Sequence, residues 1–171
     1  MAELISGKDL VLFFRRRADH ATEDGAKLRF QTEHSFSFGK ETETIITKDG
    51  PINVISDGEN TADITSLAYK EETAPIETWK NIRTWFKNND LVEIWQVDVS
   101  SLSTGNYSVE YFQGYVTSFE ISAPAEGRVE LSMSYAINGN GAEGTDTLTA
   151  EQLAAIESTV YEYETIAKTG V

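Results

Sequence analysis

A chain of 171 residues with 40% hydrophobic side chains is large enough for one domain with its own core and too apolar to be disordered throughout. It holds no cysteine, which excludes a disulfide framework and thiolate metal sites. Acidic side chains outnumber basic ones 28 to 14, and the resulting formal charge of −14 disfavours capture of nucleic acid or anionic membrane.

The opening MAELISGKDLVLFFRRR reads against a signal peptide, since acids precede the apolar run and arginines follow it. No apolar stretch is long enough to span a bilayer. Both features point to folding in a cytosol. The first predicted strand, 9–15, is apolar on both faces, as for a strand covered on each side. The next, 27–38, alternates: Leu28, Phe30, Thr32, His34, Phe36 and Phe38 on one face, Lys27, Arg29, Gln31, Glu33, Ser35 and Ser37 on the other. Residues 39–60 then form a long excursion, partly extended and without a core of its own. Its turn signals are Asp49-Gly50 and Asp57-Gly58. A short strand, 61–69, returns from it.

One helix interrupts the strands. In APIETWKNIRTWFKNND, Ile76, Trp79, Ile82, Trp85 and Phe86 recur at helical spacing. Pro75 is tolerated in the first turn, and Asn88 or Asn89 can end the helix. A strand at 91–99 leads into a long hairpin, 109–137, with a five-residue turn at 123–127. That turn sets Ile121 opposite Val129, Phe119 opposite Leu131 and Tyr115 opposite Tyr135. It also sets Glu120 opposite Glu130, a like-charge pair that costs stability on a sheet face. Strands this long invite pairing with other chains at a sheet edge unless something blunts them. In the tail, Thr149 can cap a short helix before a strand-like TVYEYETI. The order of elements is that of a mainly β protein: a β-sandwich or partial barrel with one flanking α-helix, a long inter-strand loop and a C-terminal arm.

Catalytic and metal chemistry find little support. His34 shares the apolar face of its strand and reads as a core residue satisfied by a neighbour, and His20 as a solvated loop residue. The glycine cluster 139–144 lacks the Lys-Ser/Thr of a phosphate loop and reads as a plain loop. The Arg15-Arg16-Arg17 cluster reads as a solvated loop or a contact with an acidic neighbouring subunit rather than a nucleic-acid patch. Trp79 and Trp85 sit at core spacing. No catalytic residue, cofactor or metal ligand is expected.

The stretch YFQGYVTSFEISAPAEGRVELSMSYAINGNG at 111–141 resembles the signature of the major tail tube proteins of long-tailed, siphovirus-type bacteriophages. The early KDLVLFF, the KDG of the excursion and the Trp-rich helix before NDLVEIW lie where that family has equivalents. The resemblance runs from about residue 5 to 141 and implies a tail tube domain over 1–144, with 39–60 bridging rings and 145–171 as an extension. It further implies a non-enzymatic structural subunit: six-membered rings stacked into a tube whose acidic lumen conducts DNA during ejection. Lumen candidates are then Glu33, Ser35, Ser37, Ser118, Glu120, Glu130, Ser132 and Ser134, with Arg128 tempering the field. Thr44, Lys48, Asp49, Gly50, Pro51 and Asp57 belong to the inter-ring loop. The implied partners are further copies of the chain and the tape measure, tail tip and terminator proteins. DNA passes transiently and no membrane is involved. The implied location is the virion tail, after assembly in the host cytoplasm. Two alternatives stand beside this reading: the inner tube of a phage-derived injection or secretion system, and a monomeric carbohydrate-binding β-sandwich using exposed Tyr and Trp.

Overall fold

The computed structural model describes residues 2–70, 77–157 and 166. In chain order the strands are β1 (Leu10–Arg16), β2 (Ala26–Lys27), β3 (Gln31–Ser37), β4 (Lys40–Thr47), β5 (Gly50–Asp57) and β6 (Asn60–Leu67). Helix α1 (Thr78–Asn88) precedes β7 (Val92–Ser103), β8 (Asn106–Ser122) and β9 (Glu130–Asp146), and α2 (Ala150–Glu157) follows them. Among the described residues seven strands form one sheet in the order β2-β1-β7-β8-β9-β6-β3, while β4 and β5 pair only with each other.

The sheet curls into a half-barrel, and its two outermost strands are neighbours in sequence. The strand expected over 27–38 breaks at Leu28–Phe30, where Leu28 is fully buried and Phe30 takes a left-handed φ of 57°. That break carries the chain from one edge of the sheet to the other. Gln31 closes the seam. Its side-chain amide accepts from the Leu12 N–H (3.2 Å) and donates to the Leu12 and Leu28 carbonyls (3.0 and 2.7 Å), doing for β1 what a neighbouring strand would do. His34 is satisfied across the same gap by Gln96 at 2.7 Å.

Two apolar clusters flank the sheet. Leu12, Phe14, Ile64, Val92, Ile94, Leu131, Met133 and Tyr135 pack with Trp79 and Ile82 of α1. On the opposite side Phe13, Val97, Tyr107 and Val109 pack with Leu148, Leu153 and Ile156 around α2. Strand β1 is therefore covered on both faces, as its unbroken apolar run requires. Both tryptophans of α1 join the first cluster, and the Trp79 indole donates to the Tyr69 carbonyl at 2.9 Å. Asn89 ends α1 in the left-handed conformation (φ 56°), while Pro75 and Ile76 lie outside the described residues. Helix α2 opens on a capping box. Thr149 Oγ1 accepts from the Gln152 N–H (3.2 Å), and Gln152 Oε1 accepts from the Thr149 N–H (2.9 Å). The strand-like reading of 159–166 falls almost wholly outside the described residues. No described helix is long and apolar enough to cross a membrane.

The β8–β9 hairpin differs from its sequence reading in three ways. Ile121 faces Leu131 and Glu120 faces Ser132, so the opposition of Glu120 and Glu130 does not exist. The connection is longer than five residues because β8 and β9 first pair at Ser122 and Glu130, while the Val129 carbonyl continues the ladder to β6 by accepting from Ala68 N–H at 3.0 Å. A two-residue slip keeps every side chain on its own face, so apolar alternation could not distinguish the two registers. Second, the register shifts between Val116 and Ser118, leaving Thr117 unpaired. Beyond it parity inverts: Tyr115 lies opposite Ala136 rather than Tyr135 and is exposed, while Val116 joins the core. Third, 139–144 is not a loop. Strand β9 continues through it to Asp146 with a wide bulge over 139–141, where Gly139 and Gly141 have φ of 71° and 76°. A Cβ on Gly141 would collide with the Phe112 ring, so glycine is required there on two counts.

Candidate functional site

Past Gly114, β8 parts from β7, whose register ends at Val92 opposite Gly114. The remainder of β8 joins β9, β6 and β3 in a four-stranded platform. Its core face carries Phe119, Leu131, Met133, Tyr135 and Ile64. Its open face is a grid of paired positions, each row crossing the strands. One row reads Glu33, Thr65, Ser132, Glu120; the next reads Ser35, Asp63, Ser134, Ser118. A third holds Ser37, Thr61, Ala136 and Tyr115, and the last Leu67, Glu130 and Ser122.

All eight polar residues singled out in the sequence thus share one continuous surface. Six of them are exposed, and Ser132 and Ser134 are half-buried. Asp63, Thr61, Thr65 and Tyr115 belong there too. The alternation of β6, with Ala62, Ile64 and Ser66 buried, placed Asp63 on this face. Tyr115 carried no such signal, because only the bulge at Thr117 moves it. Ser134 Oγ donates to Asp63 Oδ1 at 2.9 Å. The four rows hold four carboxylates and no lysine or arginine, while Arg128 is exposed in the connection beside them. Among the described residues both flanks of this platform are unpaired: β3 is the last strand of the sheet, and 115–122 of β8 has β9 on one side only.

The second candidate surface is the excursion at 39–60, which is a regular hairpin rather than an irregular loop. Eight residues of β4 pair with eight of β5 from Lys40–Asp57 to Thr47–Gly50. Among the described residues nothing covers it: Ile46 is 78% and Ile55 66% exposed, and Ile45, Ile52 and Val54 are also open. At the tip Thr47 Oγ1 donates to the Gly50 carbonyl (2.6 Å) and accepts from the Asp49 N–H (3.2 Å), with Lys48 and Asp49 exposed. Thr44 Oγ1 donates to Asn53 Oδ1 midway along (2.8 Å), and Pro51 lies opposite Ile46. An ion pair between Lys40 and Asp57 closes the root, and its hydrogen bond holds the Asp57 carboxyl below the usual range. Buried Asn60 anchors that root by accepting from Gly39 N–H (3.1 Å) and donating to the Gly139 carbonyl (2.6 Å).

The arginine cluster has a role no sequence reading anticipated. Arg15 Nε bonds Glu93 Oε1 at 2.9 Å and Arg17 Nη1 bonds Glu93 Oε2 at 3.2 Å, with the Glu93 side chain 1% exposed. Tyr111 donates its hydroxyl to the same carboxylate. Burial pushes the Glu93 carboxyl up, but the bonds from Arg15, Tyr111 and Arg17 outweigh it and hold it below the usual range. Arg16 forks onto Asp19 with two bonds of 2.9 Å. The cluster neutralises its own chain.

A half-barrel with one bare polar face, two open strand edges and a projecting arm has the surfaces of an assembly subunit. The sequence matches the phage tail tube protein family over residues 4–142. The chain belongs to that family, and it is a tail tube subunit. It is 28% identical over 173 residues to a protein of Staphylococcus phage phiMR25 whose name assigns it to the tail, a match covering 98% of this chain and 86% of that one. Its fold is similar to that of the SPP1 tail tube solved by solid-state NMR and cryo-EM, with a TM-score of 0.75 at 17% identity over 98% of this chain and 95% of the other. It is also similar to the tail of an empty gene transfer agent particle with C6 symmetry. There the TM-score is 0.59 at 14% identity, over 82% of this chain and 98% of that one. At such identities these two likenesses speak for the fold alone.

Proposed function

We propose that six copies close into a ring through their platform edges, β3 of one copy pairing with 115–122 of β8 in the next, and that the open faces line a bore for DNA. The observation carrying this reading is an acidic, base-free platform bounded on both sides by unpaired backbone. Each neighbouring pair within it is antiparallel, so β3 runs antiparallel to β8. Six copies related by rotation would therefore continue the alternation without a break. Twenty-four strands at about 4.8 Å spacing and a tilt of roughly 40° close a circle about 48 Å across, wide enough to leave an open channel. Rings of Glu33, Asp63, Glu120 and Glu130 would repel phosphates and keep DNA from adhering to the wall.

The arm of residues 40–57 joins one ring to the next. A two-stranded hairpin is marginal by itself in water, and this one exposes isoleucines on both faces. Tape measure, tail tip and terminator proteins would meet the ends of such a tube, assembled in the host cytoplasm.

Phage carrying Glu33→Lys and Glu120→Lys tests the lumen. Both positions are exposed, so tubes should form at normal length while DNA ejection slows several-fold as phosphates bind the wall. Ejection at the parental rate from intact tubes would remove these residues from the bore.

A further inference from the structure

We infer that the docking site for the arm is the cationic face of α1 in a copy of the adjoining ring. The inference rests on the arm being the inter-ring element. Strand β6 runs from the arm root at Asn60 to Leu67, after which the chain proceeds to α1. Phe86 of α1 stacks on Phe119 with ring centroids 6.5 Å apart, placing the helix by the 118–122 end of β8. Arm and helix thus occupy opposite ends of the platform. In a tube whose copies all point one way, opposite ends are the surfaces that meet.

Charge selects this surface among those at that end. Helix α1 carries Lys80, Arg83 and Lys87 and no acid, within a chain of formal charge −14. The three follow one another at intervals of three and four residues, along one stripe of the helix. Lys80 and Arg83 lie 5.5 and 5.3 Å from the centre of the Trp79 ring, and Lys80 also bonds Glu77 at 3.1 Å, so these two are held in place. Lys87 is exposed. Five other cations have partners: Arg15 and Arg17 serve Glu93, Arg16 serves Asp19, Lys27 donates to the Ala155 carbonyl and Lys40 pairs with Asp57, whereas Lys70 and Arg128, exposed at the same end, lie outside the helical stripe.

The arm offers the complement on one face only. Glu41 opposite Ser56, Glu43 opposite Val54 and Ile45 opposite Ile52 share a face that is acidic toward the root and apolar toward the tip. The reverse face, with Thr42, Thr44, Ile46, Pro51, Asn53 and Ile55, carries only Lys40 and Asp57 at its root, which neutralise each other. Glu41 and Glu43 of one copy therefore meet Arg83 and Lys87 of the next, and the apolar end of the arm lies along the helix.

Charge exchange in the full chain tests this. Arg83→Glu/Lys87→Glu and, separately, Glu41→Lys/Glu43→Lys should each leave a folded monomer by circular dichroism. Each should slow tube elongation, followed by light scattering and electron microscopy, by about tenfold or more. The quadruple variant should regain tubes. Should Arg83→Glu loosen the helix, Lys87→Glu alone, combined with Glu43→Lys, gives the same cycle on exposed positions. Normal elongation of the helix variant, or failure of the quadruple variant to recover, while the arm variant is blocked would overturn the inference and leave the arm's inter-ring role standing. Normal elongation of the arm variant and of a chain lacking the arm tip would overturn both.

Discussion

Glu93 shows how a single buried charge organises its surroundings. Taking a carboxylate out of water is costly, and here two guanidinium groups and a phenol hydroxyl offset that cost. Removing the charge would leave Arg15, whose side chain is 17% exposed, with the Glu23 carbonyl and the Trp95 ring but no carboxylate to balance it. Glu93→Gln should therefore lose about 3 kcal/mol of stability at neutral pH in denaturant unfolding of the monomer. The pH dependence follows from the depressed folded value. Above the unfolded carboxylate range, near about pH 4.3, the stabilisation is fully present, and it is lost as pH falls through the lower folded value. The gap between Glu93→Gln and the parent should narrow in acid. Equal stabilities at pH 7 would mean that the cluster contributes nothing. None of this was legible in the sequence, where Glu93 stands alone in VEIWQV and the three consecutive arginines read as a solvated loop or a contact with an acidic neighbouring subunit. Only the pairing of β1 with β7, Arg15 opposite Glu93, brings them together.

Among the elements, strands with one apolar and one polar face were legible as faces, and their register was not. Ser118, Glu120, Ser132 and Ser134, grouped by alternation, do share one sheet face, because a slip of two residues preserves parity. Tyr115 was misplaced, because one unpaired residue inverts parity and alternation carries no mark of a bulge. Residues 39–60 showed turn residues and few large apolar groups, which concealed a regular hairpin whose apolar residues meet no core of their own. The arm's exposure also makes it the element most separable from the rest. Deleting Lys48–Pro51 at the tip should leave the monomer's melting temperature within a few degrees of the parent, since no buried contact is lost. It should stop tube growth in light scattering. Tubes of parental length would dissociate the arm from ring stacking.

Over the whole molecule, the charge of −14 proves to be unevenly distributed. Four acids and no base occupy the platform rows, whereas Arg15, Arg16 and Arg17 neutralise buried or neighbouring carboxylates and Lys80, Arg83 and Lys87 collect on α1. The composition alone argued against holding nucleic acid, and the fold concentrates that property on one face between two open edges. The measurement bearing most directly on this account is a helical cryo-EM reconstruction of the purified protein at high concentration. The expected result is a six-fold tube with Glu33, Asp63 and Glu120 pointing into the bore and β3 hydrogen-bonded to β8 of the neighbouring copy. A tube with that face turned outward, or with β3 unpaired between subunits, would contradict it.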